Sequence, residues 1–148
     1  MELKSFGFEN LVVYQRSKEF VRLVYRLLKK FPREEQYAIC DQLRRAAVSV
    51  TSNIAEGMSR SADKEKIHFL NISYGSLMEA FSQLDVAYDL NYITDSDLLE
   101  VRTMVVSILK PLAGLKKSIS NPSTPENRTP RTEPRKPDPE NRTPRTNN

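Results

Sequence analysis

The sequence predicts an all-α protein, an antiparallel up-down four-helix bundle over residues 1–120 followed by a disordered, proline-rich C-terminal tail over residues 121–148. Three observations carry this. Four long stretches place apolar residues at intervals of three and four, the period of one buried helical face, and no stretch alternates as a strand does. Short connections around Pro32, Gly57 and Asn91 join them, which suits antiparallel neighbours. After Ser120 large apolar residues almost vanish and seven prolines fall in 28 residues, so that segment cannot build a core.

The first helix is expected from about Asn10 to Lys30, with Phe6 and Phe8 tucked against the bundle ahead of it. Val13, Ser17, Phe20, Val24, Leu27 and Phe31 make its buried face. The other side is basic, with Arg16, Lys18, Arg22, Arg26, Lys29 and Lys30 broken mainly by Glu19. Arg22, Arg26 and Lys29 fall at helical spacing and line up, so this surface reads either as a solvated face or as a phosphate-binding one. Pro32 ends the helix, because proline disfavours a helical residue before it.

Pro32 with Arg33-Glu34-Glu35 supplies the first turn of a second helix that runs to about Glu56, with Gly57 as its C′ residue. This helix carries two seams. Ile39, Leu43, Ala46, Val50 and Ile54 are apolar, and Gln42, Arg45, Ser49, Asn53 and Glu56 form a polar stripe beside them. A solvated face would be rich in Lys and Glu, whereas this stripe mixes short hydrogen-bonding groups with one Arg and one Glu. It reads as a buried or half-buried network that fixes helix register, with a catalytic or ligand site as the alternative.

Ser61 is the expected N-cap of a third helix over about Ala62 to Leu90, with Asp63 and Glu65 in its first turn. One seam is Ile67, Leu70, Tyr74, Leu77, Phe81, Leu84 and Tyr88; a second is Phe69, Ile72, Ser76, Glu79, Gln83 and Val86. A helix apolar on two sides must be covered on two sides, by another helix or by a second subunit. Ser76 and Glu79 share the mixed character of the stripe on the second helix, so the two are expected to face each other, with Glu79 a partner for Arg45 or an acceptor for Ser49 and Asn53. Thr94 or Asp95 caps a last helix to about Ile119, seamed by Leu98, Val101, Val105, Ile108, Leu112, Leu115 and Ile119 and kinked at Pro111.

Net charge is +4 over 148 residues, but unevenly spread: residues 1–66 hold thirteen Lys/Arg against nine Asp/Glu, and residues 67–109 hold one Arg against six acids. Such polarity could serve nucleic acid, self-association or plain solubility. No glycine-rich phosphate loop is present, and His68 is the only histidine. Neither a nucleophilic couple nor a metal site has telling spacing, so no catalytic residue, cofactor or metal is expected. The lone Cys40 reads as a packed thiol. With no apolar leader and no span of about twenty apolar residues, a cytoplasmic location and no membrane contact are expected. In the tail, Pro-Glu-Asn-Arg-Thr-Pro-Arg-Thr at 125–132 recurs at 139–146, which reads as duplicated DNA or as loose affinity for polyanions.

Phe31-Pro32, Gln42-Leu43-Arg44-Arg45-Ala46-Ala47, Ser49, Asn53-Ile54-Ala55-Glu56-Gly57 and Gly75-Ser76-x-x-Glu79 resemble the bacterial four-helix bundle family named after the 23S ribosomal-RNA intervening-sequence proteins, over about residues 6–119. That family is similar to the accessory protein of diversity-generating retroelements, a pentameric bundle that binds nucleic acid and a reverse transcriptase. The resemblance thus implies a bundle, a homo-oligomer of five, RNA or DNA as ligand and a reverse transcriptase as a further partner. Two classes lead: a non-enzymatic, charge-driven nucleic-acid-binding protein using Arg16, Arg22, Arg26, Lys29, Lys30 and Arg44, and a protein-interaction or structural bundle without such a role. An enzyme built on the polar stripe is the third.

Overall fold

The computed structural model describes residues 3–122; the duplicated segment of the tail lies outside the described residues. Helix α1, Val12–Leu28, buries Val13, Ser17, Phe20, Val24 and Leu27, the face that the spacing marks. Gly7–Asn10 ahead of it is a 3-10 turn, so the regular helix begins at Val12 rather than Asn10. Phe8 packs edge-on to Tyr14 at 5.0 Å, but Phe6 only stacks over Phe8 and stays exposed, which corrects its expected burial.

Pro32 stops α1, yet Arg33–Glu35 is a separate 3-10 turn and helix α2 runs Ile39–Met58. Ala38, at φ −118° and ψ −109°, is off the helical region and divides the two. Gly57 lies inside α2 rather than past its end. A Cβ at Gly57 would stand 3.0 Å from Phe69 Cβ and 3.2 Å from Lys66 O, so the missing side chain lets the next helix cross closely.

Helix α3, Asp63–Asp89, has Ala62 rather than Ser61 at its N-cap and no side-chain cap; Asp63 and Glu65 complement the helix dipole instead. At its other end Asn91 takes the left-handed conformation, φ 61°. Asn91 N–H donates to Tyr88 O and Tyr92 N–H to Ala87 O, both at 2.9 Å, the Schellman pattern that satisfies the last carbonyls. Thr94 then caps helix α4, Asp95–Ser120, which continues through Pro111.

Cross-helix contacts fix the directions. Arg16 meets Ser107, Arg26 meets Glu100 and Lys30 meets Asp97, so numbers rise along α1 as they fall along α4. Ser73 with Val50 and Gln83 with Gln42 do the same for α2 and α3, and Asn71 with Lys116 and Asp85 with Arg102 for α3 and α4. Each helix packs on its neighbours in sequence and α1 closes on α4, an up-down bundle.

The most extensive of these interfaces is α2 with α3. Here the expected pattern needs correction. The buried residues of α3 are Leu70, Ser73, Ser76, Leu77, Ala80, Leu84 and Ala87, whereas Ile72, Glu79 and Val86 of the expected second seam are exposed. Small residues bring the helices together, and Ser and Ala carry too little hydropathy to mark a seam by periodicity.

Candidate functional site

The polar stripe separates into a neutral inner part and a charged outer part. Ser49 Oγ lies 2.8 Å from Ser76 Oγ, and Asn53 Nδ2 donates to Ser49 Oγ at 2.9 Å and to Ser49 O at 2.8 Å. Gln83 Nε2 reaches Gln42 Oε1 at 3.3 Å and Glu79 Oε1 at 3.4 Å. The charged members pair elsewhere: Arg45 with Asp41 at 3.2 Å along its own helix, and Glu56 with Arg60. The expected Arg45–Glu79 pair is therefore not formed. Both side chains sit on the solvent side of the α2–α3 seam, where water solvates them at no desolvation cost, and hydroxyls bridge the seam itself.

Sequence reasoning missed Ser73, which is fully buried and donates from Oγ to Val50 O at 2.8 Å. Its place three positions after Leu70 and four before Leu77, the spacing of one helical face, was its only signal. His68 is exposed and stands edge-on to Phe69. Burial pushes the Cys40 thiol above its ordinary pKa, with Arg44 pulling it down and Glu35 pushing it up. Among the described residues, no group of three His, Cys, Asp or Glu side chains could hold a metal ion.

The six candidate cations fall on two faces. Toward α4, Arg16 Nη1 donates to Ser107 O at 2.6 Å, Arg26 pairs with Glu100 at 2.5 Å, and Lys30 Nζ grips both oxygens of Asp97 at 2.6 and 2.8 Å. Asp97 is buried, and burial raises its pKa. Lys30, with the N–H and hydroxyl of Thr94, more than offsets that and holds the carboxyl below its ordinary value. These three cations are occupied in joining helices.

Toward α2 the situation differs. Arg22 and Lys29 are exposed and have no ion-pair partner among the described residues. Arg44 donates to Gln36 Oε1 at 2.8 Å, a neutral partner that leaves its charge uncompensated. Two adjoining grooves run between α1 and α2 here, sharing Tyr25 and Arg44. One is bordered by Lys29 and Gln36, the other by Val48 and Ser52. The arrangement presents unneutralised cations along an open, partly aromatic trough.

A family model described as 23S rRNA-intervening sequence protein matches residues 9–114. Among curated proteins nothing matches the chain. A crystal structure of a protein with unknown function from the S23 ribosomal protein family of Bacteroides thetaiotaomicron is similar in fold, with a TM-score of 0.66 and 24% identity, over 72% of this chain and 99% of that one. Among the described residues of the present chain, no helix is long and apolar enough to cross a membrane.

Proposed function

The chain belongs to the 23S rRNA-intervening sequence protein family, and on that premise we propose that it is a non-catalytic bundle whose α1–α2 face binds the phosphate backbone of nucleic acid. The observation that carries this reading is the division of cations on α1. Arg16, Arg26 and Lys30 are tied to α4, whereas Lys29 and Arg44 line the open trough and Arg22, one heptad before Lys29, stands exposed without an ion pair among the described residues. Phosphate contacts of this kind position a ligand without reading its sequence. Binding is expected for RNA and DNA alike, weakening steeply with salt as each neutralised phosphate releases counterions.

The test is a titration of labelled structured RNA and duplex DNA at low and near-physiological salt. Arg22→Glu with Lys29→Glu should weaken both ligands and flatten the salt dependence, by about one unit of slope per lost phosphate contact. No binding at low salt, or binding indifferent to salt and to the charge reversal, would remove this function.

Self-association is the second part of the reading. Leu99 and Val106, seven positions apart on α4, are 66% and 64% exposed, and Ile72 and Val86 are exposed on α3. Two unlike apolar patches on one subunit suit head-to-tail contacts, which form a ring where the rotation between neighbours closes. Five subunits is the number implied by the resemblance to the retroelement accessory protein. A ring would align the α1–α2 trough of each copy and raise affinity by avidity. Light scattering on the wild type and on Leu99→Asp should give an oligomer and a smaller particle; a wild-type monomer at micromolar concentration would overturn it.

A further inference from the structure

We propose that Tyr25 is a base-stacking platform and that the α1–α2 trough prefers single-stranded nucleic acid; this rests on the phosphate-binding reading of the same face. The chain has six tyrosines. Tyr14 carries Phe8 at its edge and Lys18 over its ring, and Tyr74 carries Lys116. Tyr88 donates its hydroxyl to Asp95, and Tyr92 donates to Glu35 while packing on Phe31. Tyr25 and Tyr37, among the described residues, have neither a ring partner nor a hydroxyl partner.

Tyr37 stands almost wholly in solvent beside Gln36. Tyr25 does not: it is 46% exposed and lines both grooves of the trough, so one part of the ring is held by the protein and the rest is open. Arg22 lies three positions before it and Lys29 four after, about 10 Å apart along the helix, which sets the ring between two phosphate-binding groups. Asp41, a carboxylate of the trough, is engaged by Arg45.

A half-buried tyrosine between cations matches the chemistry of an unpaired strand. Every base has a π-face, and a strand whose bases are not already stacked in a duplex can lay one on the ring while its phosphates meet Arg22, Lys29 and Arg44. A duplex keeps those faces inside its own stack and offers the trough its backbone alone. The preference is for strand state rather than for base identity, because stacking tolerates any base.

The test uses the full chain with a labelled oligo(dT) strand and a duplex of the same length. The single strand should bind more tightly. Tyr25→Leu should weaken it about tenfold, leaving the duplex unchanged, while Tyr25→Phe keeps the stacking face and binds as the wild type does. The chain has no tryptophan, so Tyr25→Trp supplies a lone indole whose emission should be quenched by the strand and not by the duplex. Equal affinity for strand and duplex, unchanged by Tyr25→Leu and lowered for both by Arg22→Glu with Lys29→Glu, would overturn the stacking role and leave phosphate binding standing. No binding of either ligand by the wild type at low salt would overturn both.

Discussion

Asp97 connects three jobs in one residue. Its Oδ2 accepts the Thr94 N–H at 2.9 Å, its backbone N–H donates to Thr94 Oγ1 at 3.2 Å, and both its oxygens hold Lys30. Because its pKa is lowered on folding, the ionised form stabilises the fold at pH above the ordinary carboxylate value of about 3.9, and that contribution is lost as pH falls through the lower folded value. Lys30→Met should therefore destabilise by roughly 2 kcal/mol near neutrality. The deficit should shrink toward zero in acid, where Asp97 is protonated with or without its partner; chemical denaturation at several pH values measures it. Gly57 makes an opposite kind of case. Within a helix Gly→Ala ordinarily gains up to about 1 kcal/mol. Here the new methyl would meet Phe69 Cβ and a backbone oxygen, neither of which can swing away, so Gly57→Ala should cost about 1–3 kcal/mol in thermal or urea unfolding.

Between α3 and α4 the chain reverses through paired end signals. Asn91 stops α3 in the left-handed conformation and Thr94 starts α4 with a capping box. Only three residues, Asn91, Tyr92 and Ile93, separate the Leu90 and Thr94 caps, and Ile93 is buried, so the turn is anchored as well as satisfied. Thr94→Ala should cost about 1 kcal/mol through the lost cap and lower protection of the first amides of α4 against hydrogen exchange. Unchanged exchange at Ser96 and Asp97 would mean that Asp97 alone holds the turn. The α2–α3 seam relies on size instead. Ser73, Ala80 and Ala87 on α3 and Ala46 and Gly57 on α2 are buried small residues, which explains why this pair packs most extensively. The Ser49–Ser76 contact crosses the same seam as a neutral bridge.

Across the molecule the cations of α1 divide into a set paired with α4 and an unpaired set, and on the proposed function stability and binding should divide with them. Arg26→Glu sets a like charge against Glu100 and should lower stability by under about 1 kcal/mol, since that pair is solvated, with little effect on nucleic-acid affinity. Arg22→Glu should do the reverse, leaving the thermal midpoint in place and weakening binding. Equal losses of affinity for the two variants would mean that the ligand covers both faces of α1 rather than the trough alone. Aromatic rings divide similarly: Phe81 and Phe69 lie under Arg102 and Arg60, while Tyr25 and Tyr37 stay open on the α1–α2 side.

Four helices, their order and their antiparallel course were legible in the sequence, because a stripe such as Val13, Ser17, Phe20, Val24, Leu27 and Phe31 has one way to bury itself and short connections leave neighbours adjacent. The start of α4 was legible to within one residue, Thr94 or Asp95, because a cap is a local hydrogen-bond pattern within four residues, and the structure puts it at Thr94. Tertiary structure decided what periodicity cannot encode. Gly57 reads as a helix end until α3 crosses it, and Ser73, which belongs to neither apolar seam, is buried where it meets Val50 O. Arg45 and Glu79 looked like partners by type, but a pair forms only where side-chain directions converge, and Arg45 points toward Asp41. The trough depended most on the fold: Arg22, Arg26, Lys29 and Lys30 are near-equivalent in a sequence, and only the placement of Asp97 and Glu100 on α4 neutralises two of them and leaves the others facing solvent.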